Sequence, residues 1–492
     1  MPLILALAIL LSTGAAKAII RGGGNLAPAA DSSTHLNRGL ALLRQQKLTE
    51  ARAQFIQATR AHPNSAEAFF YLGIAEFDLR MLSAAETDLR KSLRLNPHSK
   101  NTLYNLGVTL LESRKPREAI PFLKQADHLD SGSPEISVNL VRAYLESQQK
   151  EEAIVVAESS AKRFGKDAAF DLALGKRFLS HRLLKHASRY LQRAERLAPS
   201  QPDILFPLAE TCLLEQDVNC ARQSLAAVPP EAQSSGEYHY LAARSEILAG
   251  NRRQSLEEIH RALETKPREP EYLLLLGRLL QGFGKQQEAL HTLDRAARLD
   301  PNSAEIPYSI AISHFIAGDY PSASRDARHA LQIEPDYDKA LFLLGLSRFA
   351  MGQFQEAEKF LAETVRREPK NKFYQTFYGM LLLSENKTSE AQQHLERALK
   401  IDPSYPLPHY QLGRVFARTA QYQKASSELE KAVAGEPDLP GAYYVLAHAY
   451  EHLGEKQKAR QAAALFRKYQ AAEYSEREDI LKQMHQAVQP GR

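Results

Sequence analysis

Residues 372–405 read KFYQTFYGMLLLSENKTSEAQQHLERALKIDPSY, and this 34-residue stretch decides the fold. Gly379, Ala391, Ala398 and Pro403 stand at its eighth, twentieth, twenty-seventh and thirty-second places. Stepping by 34 in both directions gives thirteen repeats, Ser32 to Glu473, without an insertion or deletion. Place eight holds Gly39, Gly73, Gly107, Gly175, Gly277, Gly345, Gly379 and Gly413, or Ala209, Ala243, Ala311 and Ala447; only Val141 departs. Place twenty is Ala from Ala51 to Ala459, with Ser255 as the one variant. Pro63, Pro97, Pro199, Pro267, Pro301, Pro335, Pro369, Pro403 and Pro437 punctuate the repeat ends. A period this strict specifies stacked supersecondary units, each burying its apolar face against its neighbours.

Every repeat divides into two amphipathic stretches around a polar turn. In the second repeat Phe69, Leu72, Ile74, Ala75 and Leu79 belong to the first stretch; Ala85, Leu89, Leu93 and Leu95 follow on the second. Apolar residues three and four apart predict two helices, here termed A and B. The small residue at place eight is expected to face the Ala at place twenty, letting the two backbones approach closely. Pro near the repeat end cannot continue a helix, and the polar residues after it, as in Pro63-Asn64-Ser65 and Pro301-Asn302-Ser303, are suited to cap the next one.

These columns resemble the tetratricopeptide repeat (TPR) over about nine-tenths of the chain. The resemblance implies an all-α, right-handed superhelical solenoid of thirteen helix pairs that holds other proteins, with the A helices lining its concave surface through places two, five, nine, twelve and thirteen. Repeat six departs from the pattern. Val228-Pro229-Pro230 cuts its B stretch short, Pro207 falls inside its A stretch, and residues 226–236 read as a hinge or as drift of a single repeat.

Three segments lie outside the repeats. Residues 1–18 combine an apolar run, Leu3 to Leu11, with Ala16-Lys17-Ala18, like a secretory signal cleaved after Ala18. An N-terminal membrane anchor is the alternative, although the apolar run falls short of the roughly 20 residues that a membrane span requires. Residues 19–31 read as a Gly- and Ala-rich lead-in. Residues 474–492 place Ile480, Leu481, Met484, Ala487 and Val488 on one helical face and read as a capping helix. Export would let Cys212 and Cys220, eight apart in repeat six, form a disulfide; two packed thiols are the other reading.

The net charge of +5 over 492 residues is small, so no nucleic-acid partner is expected. No segment outside the repeats is large enough for a catalytic domain, and neither an enzymatic activity nor a cofactor is expected. His448-Ala449-Tyr450-Glu451-His452 matches the H-x-x-E-H string of a zinc peptidase family. A further carboxylate ligand on a separate domain would be needed, and two solvated histidines are the preferred reading.

The expected binding face is more distinctive. Place five carries aromatic residues, among them Phe206, Tyr240, Tyr308 and Phe342, and place nine carries Arg142, Lys176, Glu210, Arg244 and Arg278 in five consecutive repeats, then Arg414 later. Aromatic residues at place five are common in the family that the columns resemble, which implies that much of this stripe is structural; where rings are exposed, a ladder of cations beside them would suit an acidic, partly apolar peptide. A solvated face neutralised by Glu210, Glu237 and Glu271 is the alternative. The sequence therefore reads as an exported, non-enzymatic scaffold for one or more protein partners in a cell-envelope or periplasmic complex. The second reading is a component of a polysaccharide or appendage export system, touching glycan or a secretion channel.

Overall fold

The computed structural model describes residues 33–469 together with 483 and 484. The expected signal at 1–18, the lead-in at 19–31 and most of the capping segment at 474–492 lie outside the described residues. Those described are helical with no strand, and the helices alternate A and B as the period requires. The chain divides into two compact blocks, Met1–Asn251 and Arg252–Arg492.

The first block holds repeats one to six and helix A of repeat seven. Repeat three shows how a repeat is built. Helix A, Lys100–Glu112, starts where the Ser99 hydroxyl accepts from the Thr102 amide, at 3.3 Å. It stops at a Schellman-type turn, in which Arg114 N donates to Leu111 O (2.9 Å) and Lys115 N to Leu110 O (2.8 Å). Arg114 sits there at φ 59°, in the left-handed region. Helix B, Pro116–Leu129, then buries Ala119, Leu123 and Ala126.

Place fifteen adopts this left-handed conformation in all thirteen repeats. Gly250, Gly284, Gly318, Gly352 and Gly454 supply it without strain, whereas Gln46, Arg80, Arg114, Gln148, Arg182, Gln216, Asn386 and Ala420 carry a side chain through it. The sequence reading did not single out this column. Capping was read correctly at Ser65, whose hydroxyl accepts from Ala68 N. At Pro301-Asn302-Ser303 the reading differs from the structure: the helix begins at Glu305, with Ala304 as its unbonded cap.

The close approach at place eight also needs correction. A Cβ added at Gly107, Gly175 or Gly277 would lie 2.6 Å from Cγ of Leu123, Leu191 or Leu293 respectively. The primary partner of place eight is thus the large side chain at place twenty-four. The Ala at place twenty contributes only a carbonyl oxygen farther off, as Ala85 O does at 3.3 Å from Gly73. This explains the one exception in the column. Repeat four has Val141 at place eight and Ala157 at place twenty-four, both fully buried, so the bulk has moved from one helix to the other.

Repeat six keeps helix A continuous through Pro207, from Pro202 to Leu214. Its helix B is only Val218–Ala226, followed by a short turn of helix at Pro230–Gln233. Cys212 and Cys220 are joined as a disulfide between the two helices, with Cα atoms 5.7 Å apart. Segment 226–236 is not where the blocks divide. Leu225, Val228 and Leu241 belong to a single apolar cluster of the first block that runs across it.

The second block holds helix B of repeat seven and repeats eight to thirteen, built on the same plan. Its largest apolar cluster runs from Ala311 to Ala462 and includes Met484. Within each block the A helix of one repeat touches the A helix of the next, while B packs mainly between the two A helices that flank it. The closer spacing of the A helices makes their shared face the inner side of each stack.

Candidate functional site

Place nine falls on the inner face in both blocks, but its cations are not free. In the first block Arg142 Nη1 meets Glu112 Oε1 at 2.8 Å and its Nε meets Glu146 Oε1 at 2.6 Å. Burial alone would lower the Arg142 pKa; the two glutamates outweigh it and leave it raised. Arg244 lies over the Tyr240 ring, 5.5 Å from its centre, and 3.9 Å from Glu210. In the second block Arg278 Nη1 contacts Glu305 Oε1 at 2.5 Å.

The structure thus favours, at these positions, the neutralised face that the sequence offered as the alternative, with glutamates beyond the three it named. Glu112 and Glu146 occupy place thirteen and Glu305 occupies place two, one helical turn from the place-nine cation of the same or a neighbouring repeat. Reading places two and thirteen beside place nine would have shown alternating charge in place of a ladder of one sign.

Two neighbouring cations differ from these. Lys176 and Arg177, adjacent on helix A of repeat five (Ala168–Ser180), are half-buried and make no contact ion pair with a carboxylate among the described residues. Burial, together with repulsion from Arg142, pulls the Arg177 guanidinium down to about 10, against the longer-range attraction of Glu146 and Glu112. A partly desolvated guanidinium without a contact ion pair can still take a carboxylate on this face.

The aromatic column is mostly core. Phe206 and Phe342 are buried, the latter packed against Tyr374 with ring centres 4.7 Å apart. Tyr308 is largely covered, edge-on to Tyr337 at 5.2 Å, and burial pushes its phenol up to about 12. Tyr240 is half-exposed. Only Tyr444, at 54 %, is well exposed among the place-five aromatics. The expected stripe of open rings is therefore corrected: place five joins consecutive A helices. Arg414 is a second correction. It is buried, with Nη1 donating to Gln411 Oε1 at 2.7 Å and the guanidinium over Tyr410.

His448 and His452 lie 4.6 Å apart by ring centres, and His452 stacks on Tyr422 at 4.2 Å with planes 2° apart. No group of three His, Cys, Asp or Glu able to hold a metal occurs among the described residues. No described helix is long and apolar enough to cross a membrane.

Family models of the tetratricopeptide repeat match residues 36–100, 110–176, 240–304, 274–338, 314–381 and 440–464, and a TPR repeat model matches 379–419. The chain belongs to the tetratricopeptide-repeat family, an all-α repeat solenoid of the kind that serves as a scaffold for protein–protein interaction. No curated protein matches it. Among solved structures it is similar to a chain of "Crystal structure of APC/C hetero-tetramer Cut9-Hcn1", with 14% identity, coverage of 92% of this chain and 96% of that one, and a TM-score of 0.48.

Proposed function

We propose that the chain is an exported, non-enzymatic scaffold that holds an acidic segment of a protein partner on the inner face of repeats four and five. The observation that carries this reading is the pair Lys176 and Arg177, which make no contact ion pair among the described residues, beside an Arg142 that takes the direct contacts of Glu112 and Glu146. A carboxylate from a partner would supply what the fold leaves out, and the surrounding alternating charges would fix its register. Export and a role in assembling a cell-envelope complex draw support from the signal-like residues 1–18 and from the Cys212–Cys220 disulfide, which an oxidising compartment favours. A glycan-handling role in an export system draws less from the geometry, because sugar stacking needs open ring faces and most of the place-five rings are buried.

The test is a cross-linked pull-down from the native cell with the full chain and with a Lys176→Ala, Arg177→Ala double variant, washed at low and high salt. A partner lost from the variant, and from the unaltered chain at high salt, supports the reading. Recovery of the same partners from both chains sinks it.

A further inference from the structure

The inner face of the second block changes character along its length. At place nine, Arg278 is half-exposed, but Leu346, Met380 and Arg414 are 0, 1 and 7 % exposed. Ile312, at the same place, is 6 % exposed, so the burial extends over four consecutive repeats. Two described residues from beyond the repeats join this region. Gln483 and Met484 are both buried, and Met484 joins the apolar cluster that contains Leu346, Met380, Leu407 and Tyr410.

The contact has a polar register as well as an apolar knob. Arg414 donates to Gln411 Oε1, which fixes the Gln411 amide so that its Nε2 points outward. That Nε2 donates to Gln483 Oε1 at 3.1 Å, across 72 residues of sequence. The surface thus offers an apolar cluster, with Met380 and Leu407 among its members, next to one amide donor. Those are the two elements of a groove that takes an amphipathic helix: a buried side chain for affinity and a polar contact to set position. In the sequence around the knob, Ile480, Leu481, Met484, Ala487 and Val488 fall on one face of a helix.

We propose that the inner face of repeats ten to twelve is a binding site for one amphipathic helix, and that the chain's own segment 474–492 occupies it in cis. It is separate from the charged face of repeats four and five. A partner helix presenting a Met- or Leu-sized knob beside an amide acceptor enters by displacing the segment. Tethering gives the segment an effective concentration in the millimolar range, so an outside helix competes poorly until the segment is released.

The test uses a fluorescent peptide of residues 474–492 and the full-length chain, unaltered or carrying Met484→Asp, with circular dichroism checking that the repeats stay helical. Weak binding to the unaltered chain and at least about ten-fold tighter binding to Met484→Asp are expected, the latter abolished by adding Met380→Asp. A chain ending at Glu473 should bind the peptide like Met484→Asp, which guards against a misfolded point variant. Equal affinity for the unaltered and opened chains would overturn the proposal. So would failure of the peptide to bind either opened chain while its repeats remain folded.

Discussion

Moving bulk from one helix of a repeat to the other should be far less damaging than changing either side alone. In repeat three, Gly107→Val adds three carbons where the first would already stand 2.6 Å from Leu123 Cγ, against 3.4–4 Å for ordinary contact. Overpacking of that kind costs about 3 kcal/mol, the upper end of the usual range, because the contact is so short. Leu123→Ala removes three carbons from a fully buried side chain and should cost about 2–5 kcal/mol. Independent effects would sum to roughly 5–8 kcal/mol. Together, however, the changes rebuild the Val–Ala pair that repeat four carries as Val141 and Ala157. A volume-conserving exchange should cost under about 1.5 kcal/mol, leaving a coupling of about 3 kcal/mol or more. Long repeat arrays do not unfold in two states, so the assay is amide hydrogen exchange on Lys100–Glu112 and Pro116–Leu129, which reads local opening. A double variant as unstable as the sum of the singles would refute the pairing of places eight and twenty-four.

Ala420 holds φ 57°, so Ala420→Gly should stabilise repeat twelve by about 1 kcal/mol, seen as slower exchange at the A–B turn. Burial first, and then the Glu76 carboxylate, lift the Asp88 carboxyl to about 7 from 3.8. The folded state then binds this proton more tightly than the unfolded chain, so the stability it contributes falls as pH rises from about 4 to 7. Asp88→Asn should flatten that slope and raise Tm at pH 8; an unchanged pH profile would contradict it. Asp171 is fully buried with Arg193 Nε 3.1 Å from one oxygen, so Arg193→Ala should lower the exchange protection of Ala168–Ser180 by about 3 kcal/mol at pH 8. That loss should shrink below pH 6, because burial already raises Asp171 to about 6 and it can then take up a proton. Reducing the Cys212–Cys220 bond reopens a loop of eight residues and should lower the protection of Val218–Ala226 by about 2–3 kcal/mol.

The helix-pair architecture was legible because every repeat states it again: Gly or Ala at place eight and Ala at place twenty recur until chance is no longer an explanation. What a single column could not show was its partner. Place eight was assigned to Ala85 or Ala391, when the atoms that forbid a Cβ belong to Leu89 and Leu395. The candidate site was less legible for a related reason. Arg142 and Arg278 stand out in their own column, yet their charge is answered by Glu112, Glu146 and Glu305 in others, and only the fold brings those columns together. Arg414 and Phe342 illustrate a second limit. The same place faces solvent in one repeat and core in another, depending on what the neighbouring helices bring to it, as Tyr374 and Phe377 do for Phe342. Lys176 was in view from the start, whereas Arg177, one place off the chosen column, was not.

The Gln411–Gln483 contact also sets an order in time. Gln411 leaves the ribosome 72 residues ahead of its partner, an interval of roughly 4–14 s at ordinary synthesis rates of about 5–20 residues per second. For those seconds Met380, Leu407 and Tyr410 are present without the Met484 side chain that shares their cluster. A growing chain would thus carry a sticky inner face late in its synthesis, well after the first block has been made. Chaperone occupancy measured along the nascent chain should peak in that interval and fall once residue 484 emerges.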